Sequence, residues 1–160
     1  MTTSERPLRI AVCGAGECDA ALAQEAEAVG RAIAQAGAVL ICGGLGGVME
    51  AAARGAASAG GLTIGLLPGA RAADANPWIR IPLPTGLGEA RNTLIARTAD
   101  AVVAVGGEWG TLSEVAFARK LGIRVVLLRP APLTAGLGLE VADTAAEAVE
   151  RALAYARAAR

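Results

Sequence analysis

Apolar positions in this chain fall into short continuous runs, separated by stretches in which apolar residues recur at helical spacing. Leu8 to Cys13 is the first run and predicts a strand. Leu22, Ala26, Val29 and Ile33 then mark one face of a helix that Gly37 closes. The unit repeats as a strand from Val39 to Cys42, a helix from Gly47 to about Ala59 stopped by Gly60-Gly61, and a strand from Leu62 to Leu67. Pro68 to Trp78 reads as a loop, Ile79 to Leu83 as a short strand and Thr85 to Thr98 as a turn and helix. Ala101 to Val105, a helix from about Thr111 to Leu121, and Arg124 to Leu128 complete the expected sheet. A last helix is expected near Asp143 or Thr144, where Thr144-Ala145-Ala146-Glu147 has the form of a capping box; Ala145, Val149 and Leu153 form its apolar face. Such alternation predicts an α/β fold, a doubly wound parallel sheet with helices on both faces, right-handed crossovers and ligands at the carboxyl ends of the strands.

Two glycine-rich turns stand where a strand runs into a helix. The first runs Cys42-Gly43-Gly44-Leu45-Gly46-Gly47-Val48-Met49, the second Gly106-Gly107-Glu108-Trp109-Gly110-Thr111. A helix start carries backbone N–H groups without intrahelical partners, and glycine lets an anion approach them without meeting a Cβ. Glycines also serve plain tight turns, but two such turns at equivalent places favour a phosphorylated ligand. A third turn, Gly14-Ala15-Gly16-Glu17-Cys18-Asp19, begins like a dinucleotide fingerprint and fails at Asp19, where that motif needs glycine. Gly14 and Gly16 are expected to wall the pocket instead.

Composition narrows the chemistry. The 160 residues suit one domain spanning the whole chain, with polar Met1 to Pro7 as a flexible tail. Hydrophobic residues make up 54% and aromatics 2%, so the core must be built from Ala, Val, Leu and Ile. Fifteen basic and fifteen acidic residues cancel, which argues against polymeric nucleic acid as a partner. No apolar run approaches the length of a membrane span, and a cytoplasmic protein is expected. With no histidine, Ser-His-Asp and Cys-His catalysis and histidine-ligated metal are excluded. Cys13, Cys18 and Cys42 form no C-x-x-C pair, so no metal site is expected; Cys13 and Cys42 read as small buried residues.

Gly106-Gly107-Glu108-Trp109-Gly110-Thr111-Leu112-Ser113-Glu114 resembles the P-G-G-x-G-T-x-x-E signature of the Lonely Guy (LOG) phosphoribohydrolases, also called lysine-decarboxylase-like proteins. Gly43 to Met49 resembles their upstream glycine turn, and Gly88-Glu89-Ala90-Arg91-Asn92 falls where they carry a key arginine. Thr85 to Asn92 matches the T-G-x-G-x-A-R-N run of a branch of small Rossmann-like proteins that includes molybdenum-cofactor carriers. Val105 replaces the signature proline, one extra residue separates Gly107 from Gly110, and Asn92 stands where lysine is common.

The resemblance implies a Rossmann-like fold with Arg91 and Glu114 as the catalytic pair. Gly14, Gly16, Gly43, Gly44, Gly46, Gly47, Met49, Asn92, Gly106, Gly107, Gly110 and Thr111 would then contact the ligand. One function is hydrolysis of the N-glycosidic bond of a nucleoside 5′-monophosphate, AMP or a cytokinin riboside monophosphate, which needs no cofactor. The alternative is a carrier for molybdenum cofactor or another phosphorylated ligand. Each residue also has a plainer reading. Thr111 and Glu114 could form a capping box, and Arg91 a surface salt bridge with Glu89 or Glu114. Glu50 and Glu108 could face solvent or a partner, and Trp109 could be a lid or a stacking residue. Small side chains on the Ala-rich helices suggest a homodimer or larger assembly.

Overall fold

The computed structural model describes residues 6–160, so the expected tail lies outside the described residues as far as Glu5. Seven strands form one sheet: β1 (Arg9–Gly14), β2 (Val39–Cys42), β3 (Thr63–Leu67), β4 (Ile81–Pro84), β5 (Ala101–Val105), β6 (Val125–Leu128) and β7 (Glu140–Ala142). Their order is β4-β3-β2-β1-β5-β6-β7 and every pairing is parallel. Six helices accompany them: α1 (Ala20–Gln35), α2 (Val48–Ser58), α3 (Asn92–Thr98), α4 (Trp109–Lys120), α5 (Pro132–Ala135) and α6 (Ala145–Ala158).

Both faces of the sheet are covered, as the unbroken apolar strands require. Ile10, Val12, Leu40, Val103 and Val105 meet α1, α2 and α6 on one face; Ala11, Cys13, Val102, Ala104 and Leu127 meet α3 and α4 on the other. The core is aliphatic, as the composition requires. Helices α1 and α2 touch backbone to backbone, since a Cβ on Gly30 would fall 1.9 Å from the Ala52 carbonyl oxygen and one on Gly55 2.0 Å from that of Glu27. Some of the small residues expected to serve a partner subunit are thus used within the chain.

Several elements differ from the sequence expectation. The fourth strand begins at Ile81, not Ile79, because the Thr63 hydroxyl donates to the Trp78 carbonyl at 2.6 Å and accepts from the Arg80 N–H at 2.9 Å, holding those residues in a turn. The turn and helix after it resolve into a 3-10 turn, Gly88–Arg91, followed by α3. Strand β7 extends the sheet beyond the strand expected to complete it, and α5 precedes it; at three and four residues neither presents a legible period. The capping box at α6 forms: Thr144 Oγ1 accepts from the Glu147 N–H at 3.1 Å, while Glu147 reaches one residue further back to the Asp143 N–H at 2.7 Å.

The chain builds outward from β1 to β4 and then crosses to β5, which lies against β1 with Gly14 beside Val105. That reversal of strand order opens a crevice between the β1 and β5 loops, where open α/β sheets bind ligands.

Candidate functional site

A cavity of about 520 Å³ occupies this crevice. Gly14, Ala15 and Gly16 from the β1 turn form one wall, with Leu45, Met49 and Pro68 beside them. Arg91 and Asn92 enter from the 3-10 turn and α3. Helix α4 supplies Trp109, Gly110, Thr111, Ser113, Glu114 and Phe117. Glu89 and Glu108 stand at the exposed rim, where solvent screens their charge.

Arg91 is 7% exposed and pairs with no carboxylate among the described ion pairs, so its plainer reading as a surface salt bridge with Glu89 or Glu114 does not hold. Its Nη1 donates to Asn92 Oδ1 at 2.6 Å, and its Nε is buried without an acceptor. Asn92 is held in turn by donating to Ser113 Oγ at 3.0 Å, and that hydroxyl donates to the Gly110 carbonyl at 2.6 Å. Asn92 thereby ties the guanidinium to the first turn of α4.

Helix α4 starts at Trp109 with Glu108 as its N-cap and no side-chain cap, so the plainer reading of Thr111 and Glu114 as a capping box does not hold. Gly107 at φ 149° turns the chain so that the helix begins two residues earlier than expected. Thr111 therefore lies inside the first turn, and its Oγ1 is buried with no partner. The first intrahelical bond runs from the Leu112 N–H to the Glu108 carbonyl, leaving the amides of Trp109, Gly110 and Thr111 without intrahelical acceptors.

Glu114 is 6% exposed, and burial pushes its carboxyl up to about 7 against the opposing pull of Arg91 and of the neighbouring Cys13 thiol. Burial, then the Glu114 charge, raises the Cys13 thiol well above its ordinary range. Burial also raises Cys42, to about 12, and both thiols are free. These cysteines are the small buried residues the sequence suggested.

The expected ligand glycines divide into two groups. Gly14, Gly16 and Gly110 line the cavity with Met49, Asn92 and Thr111, whereas Gly43, Gly44, Gly46, Gly47, Gly106 and Gly107 lie outside its lining. Within the first glycine turn the Val48 N–H donates to the Ala15 carbonyl at 3.0 Å and the Gly44 N–H to Cys42 Sγ at 3.4 Å, while the amides of Leu45, Gly46 and Gly47 make no hydrogen bond among the described residues. A Cβ on Gly47 would strike the Ala15 carbonyl oxygen at 2.3 Å, so this glycine lets two loops touch. Gly43 works one step back, beneath Arg91. Sequence reasoning missed Ser113 and Phe117, although both lie on the helical face that Trp109 begins, at i+4 and i+8.

An all-parallel sheet with a crevice at its switch point, lined by a buried arginine and carboxylate, defines a doubly wound protein of Rossmann type. Residues 7–158 match the SLOG cluster4 family, and the chain belongs to that family. A protein of Archaeoglobus fulgidus described as uncharacterized is 48% identical over 143 residues, covering 89% of this chain and 92% of its own. The molybdenum cofactor binding protein of Rippkaea orientalis superposes with a TM-score of 0.90 at 37% identity, covering 94% of this chain and 98% of the other. The molybdenum cofactor carrier protein of Chlamydomonas reinhardtii gives 0.85 at 38% identity, with the same coverage of 94% and 98%.

Proposed function

We propose that this chain binds and carries a small phosphorylated ligand, with the molybdenum cofactor as its cargo. One observation carries the reading: Arg91 Nε and Thr111 Oγ1 are both buried, both without partners, and belong to residues lining one cavity. Each such group costs about 1–3 kcal/mol while unsatisfied. A guanidinium, a hydroxyl and three free amides at a helix start complement a phosphate monoester. The molybdenum cofactor is a pterin that carries such a phosphate, and the similarity to its binding and carrier proteins supports it as the occupant.

The test is calorimetric titration of the purified protein with inorganic phosphate, beside mass spectrometry of any ligand that co-purifies. Arg91→Ala and Thr111→Val are expected to weaken phosphate binding about tenfold or more, and a pterin phosphate is the expected co-purified species. Phosphate affinity untouched by both substitutions would overturn the anion site. A co-purified ligand without phosphate would overturn the cargo.

Glu114 supports a second reading. A carboxyl near neutrality in the same cavity can take a proton from water, while Arg91 steadies a nucleoside 5′-monophosphate whose N-glycosidic bond is cleaved. Water adds to the ribose carbon and the base leaves with its bonding electrons and a proton. On this reading Glu114→Gln abolishes release of free base from AMP and preserves binding. Wild-type protein that binds AMP and releases no base eliminates it. Under either reading we place the protein in the cytoplasm as a homodimer or larger assembly, with neither a membrane nor polymeric nucleic acid as partner. No helix among the described residues is long and apolar enough to cross a membrane.

A further inference from the structure

The chain has four aromatic residues, and its buried core contains none of them. Two, Trp109 and Phe117, border the candidate cavity on the same helix. With Ser113 between them they occupy i, i+4 and i+8 on α4, one continuous stripe whose ends lie about 12 Å apart along the helix axis. Trp109 is 74% exposed and Phe117 37%, so neither is fixed by core packing. The indole belongs to the first residue of the helix, immediately before Gly110 and Thr111, whose amides lack intrahelical acceptors. The cavity therefore has a polar end at the helix start and an aromatic flank beside it.

From this arrangement we infer that Trp109 is a stacking platform for a flat heteroaromatic ring joined to the phosphate, making the site selective for a purine or pterin monophosphate over a phosphorylated sugar. This rests on the anion-binding reading of Arg91 and Thr111. A large exposed apolar ring in water gains by covering its face, and a ligand anchored through its phosphate at the helix start holds its ring near the indole with little further loss of freedom. Stacking requires no hydrogen-bond pattern on the ring, so purine and pterin are both accepted. The cavity of about 520 Å³ lies within the range of small-molecule pockets. A slender sugar phosphate would leave the indole uncovered.

The test compares inorganic phosphate, ribose 5-phosphate, AMP and neopterin monophosphate, each titrated into wild type, Trp109→Ala and Trp109→Phe. A Trp78→Phe background leaves Trp109 as the one tryptophan, so ring binding is read from its fluorescence as well as by calorimetry. AMP and neopterin monophosphate are expected to quench Trp109 and to bind about tenfold tighter than ribose 5-phosphate. Trp109→Ala removes about that advantage, Trp109→Phe keeps most of it, and both leave phosphate affinity unchanged. Three results overturn the inference: ring-bearing ligands unaffected by Trp109→Ala, all four ligands weakened equally, or a fall in solution mass in place of a loss of ring affinity. Wild type that binds phosphate without distinguishing the ring defeats this inference alone. Wild type that binds none of the four defeats the anion site, and this inference with it.

Discussion

A Cβ placed on Gly43 would lie 2.7 Å from Arg91 Nη1 and 2.8 Å from Nη2, so the guanidinium rests directly on the backbone at the end of β2. The same hypothetical carbon would lie 2.7 Å from Met49 Sδ. Met49 and Gly43 therefore form the seat in which a buried cation is held, and the first glycine turn bears on the cavity through Arg91 and Met49.

Gly43→Ala is accordingly expected to displace Arg91 and Met49, which line the cavity, although Gly43 itself does not. Phosphate affinity should fall about tenfold, and overpacking should lower stability by about 1–3 kcal/mol. Calorimetry beside a urea titration separates the two effects; unchanged phosphate affinity in a folded variant would show that Gly43 does not position Arg91.

The contact between α1 and α2 makes a second pair of glycines intolerant of substitution. Gly30→Ala and Gly55→Ala each place a methyl about 2 Å from a carbonyl oxygen of the facing helix. Gain in helix propensity is worth only about 1 kcal/mol, so net destabilisation of about 2 kcal/mol or more is expected for each. A melting temperature at or above wild type would contradict this packing.

Glu114 links stability to pH. Its carboxyl titrates near 7 in the folded protein and near 4.5 as an unperturbed group, so the folded state holds the extra proton between those values. Stability from this group is fully present below about pH 4.5, declines as pH rises through 7, and is level above it. The span is up to about 3 kcal/mol. Denaturant titrations of wild type and Glu114→Gln from pH 5 to 8 should differ by that slope; parallel profiles would refute it.

Protonation should also gate the anion site. A neutral Glu114 does not repel a phosphate bound beside Arg91, so phosphate affinity should decline as pH rises from 6 to 8, and Glu114→Gln should flatten the decline. Titration at fixed ionic strength, corrected for the ionisation of phosphate itself, measures this directly.

Much of this was legible in the sequence because the signals were local. Val102, Val103 and their neighbours form unbroken apolar runs, and β1, β2, β3, β5 and β6 fall within one residue or so of expectation. The side chain of Thr63, which displaced the start of β4, acts across 15 residues and leaves no periodic trace. Thr111-Leu112-Ser113-Glu114 has the letters of a capping box, but the turn at Gly107 moved the helix start and changed their meaning. The burial of Arg91 and the contact between Cys13 and Glu114 depend on β1 lying against β5, which no window of sequence contains. The resemblance pointed to Arg91, Asn92 and Glu114 as residues; the three-dimensional arrangement supplied Ser113, through which Asn92 ties Arg91 to α4.

The order of proline in β4 bears on how the sheet ends. Thr85 donates its N–H to the Leu67 carbonyl, so odd-numbered amides here face β3 and even-numbered ones face outward. The outward positions in β4 are Pro82 and Pro84, which have no amide hydrogen. Ile81 and Leu83 leave apolar surface exposed on this strand, yet the rim offers carbonyls alone and cannot template an added strand. A chain so rich in aliphatic residues thus carries its own barrier to amyloid-like growth along this edge, and replacing both prolines is the change that would remove it.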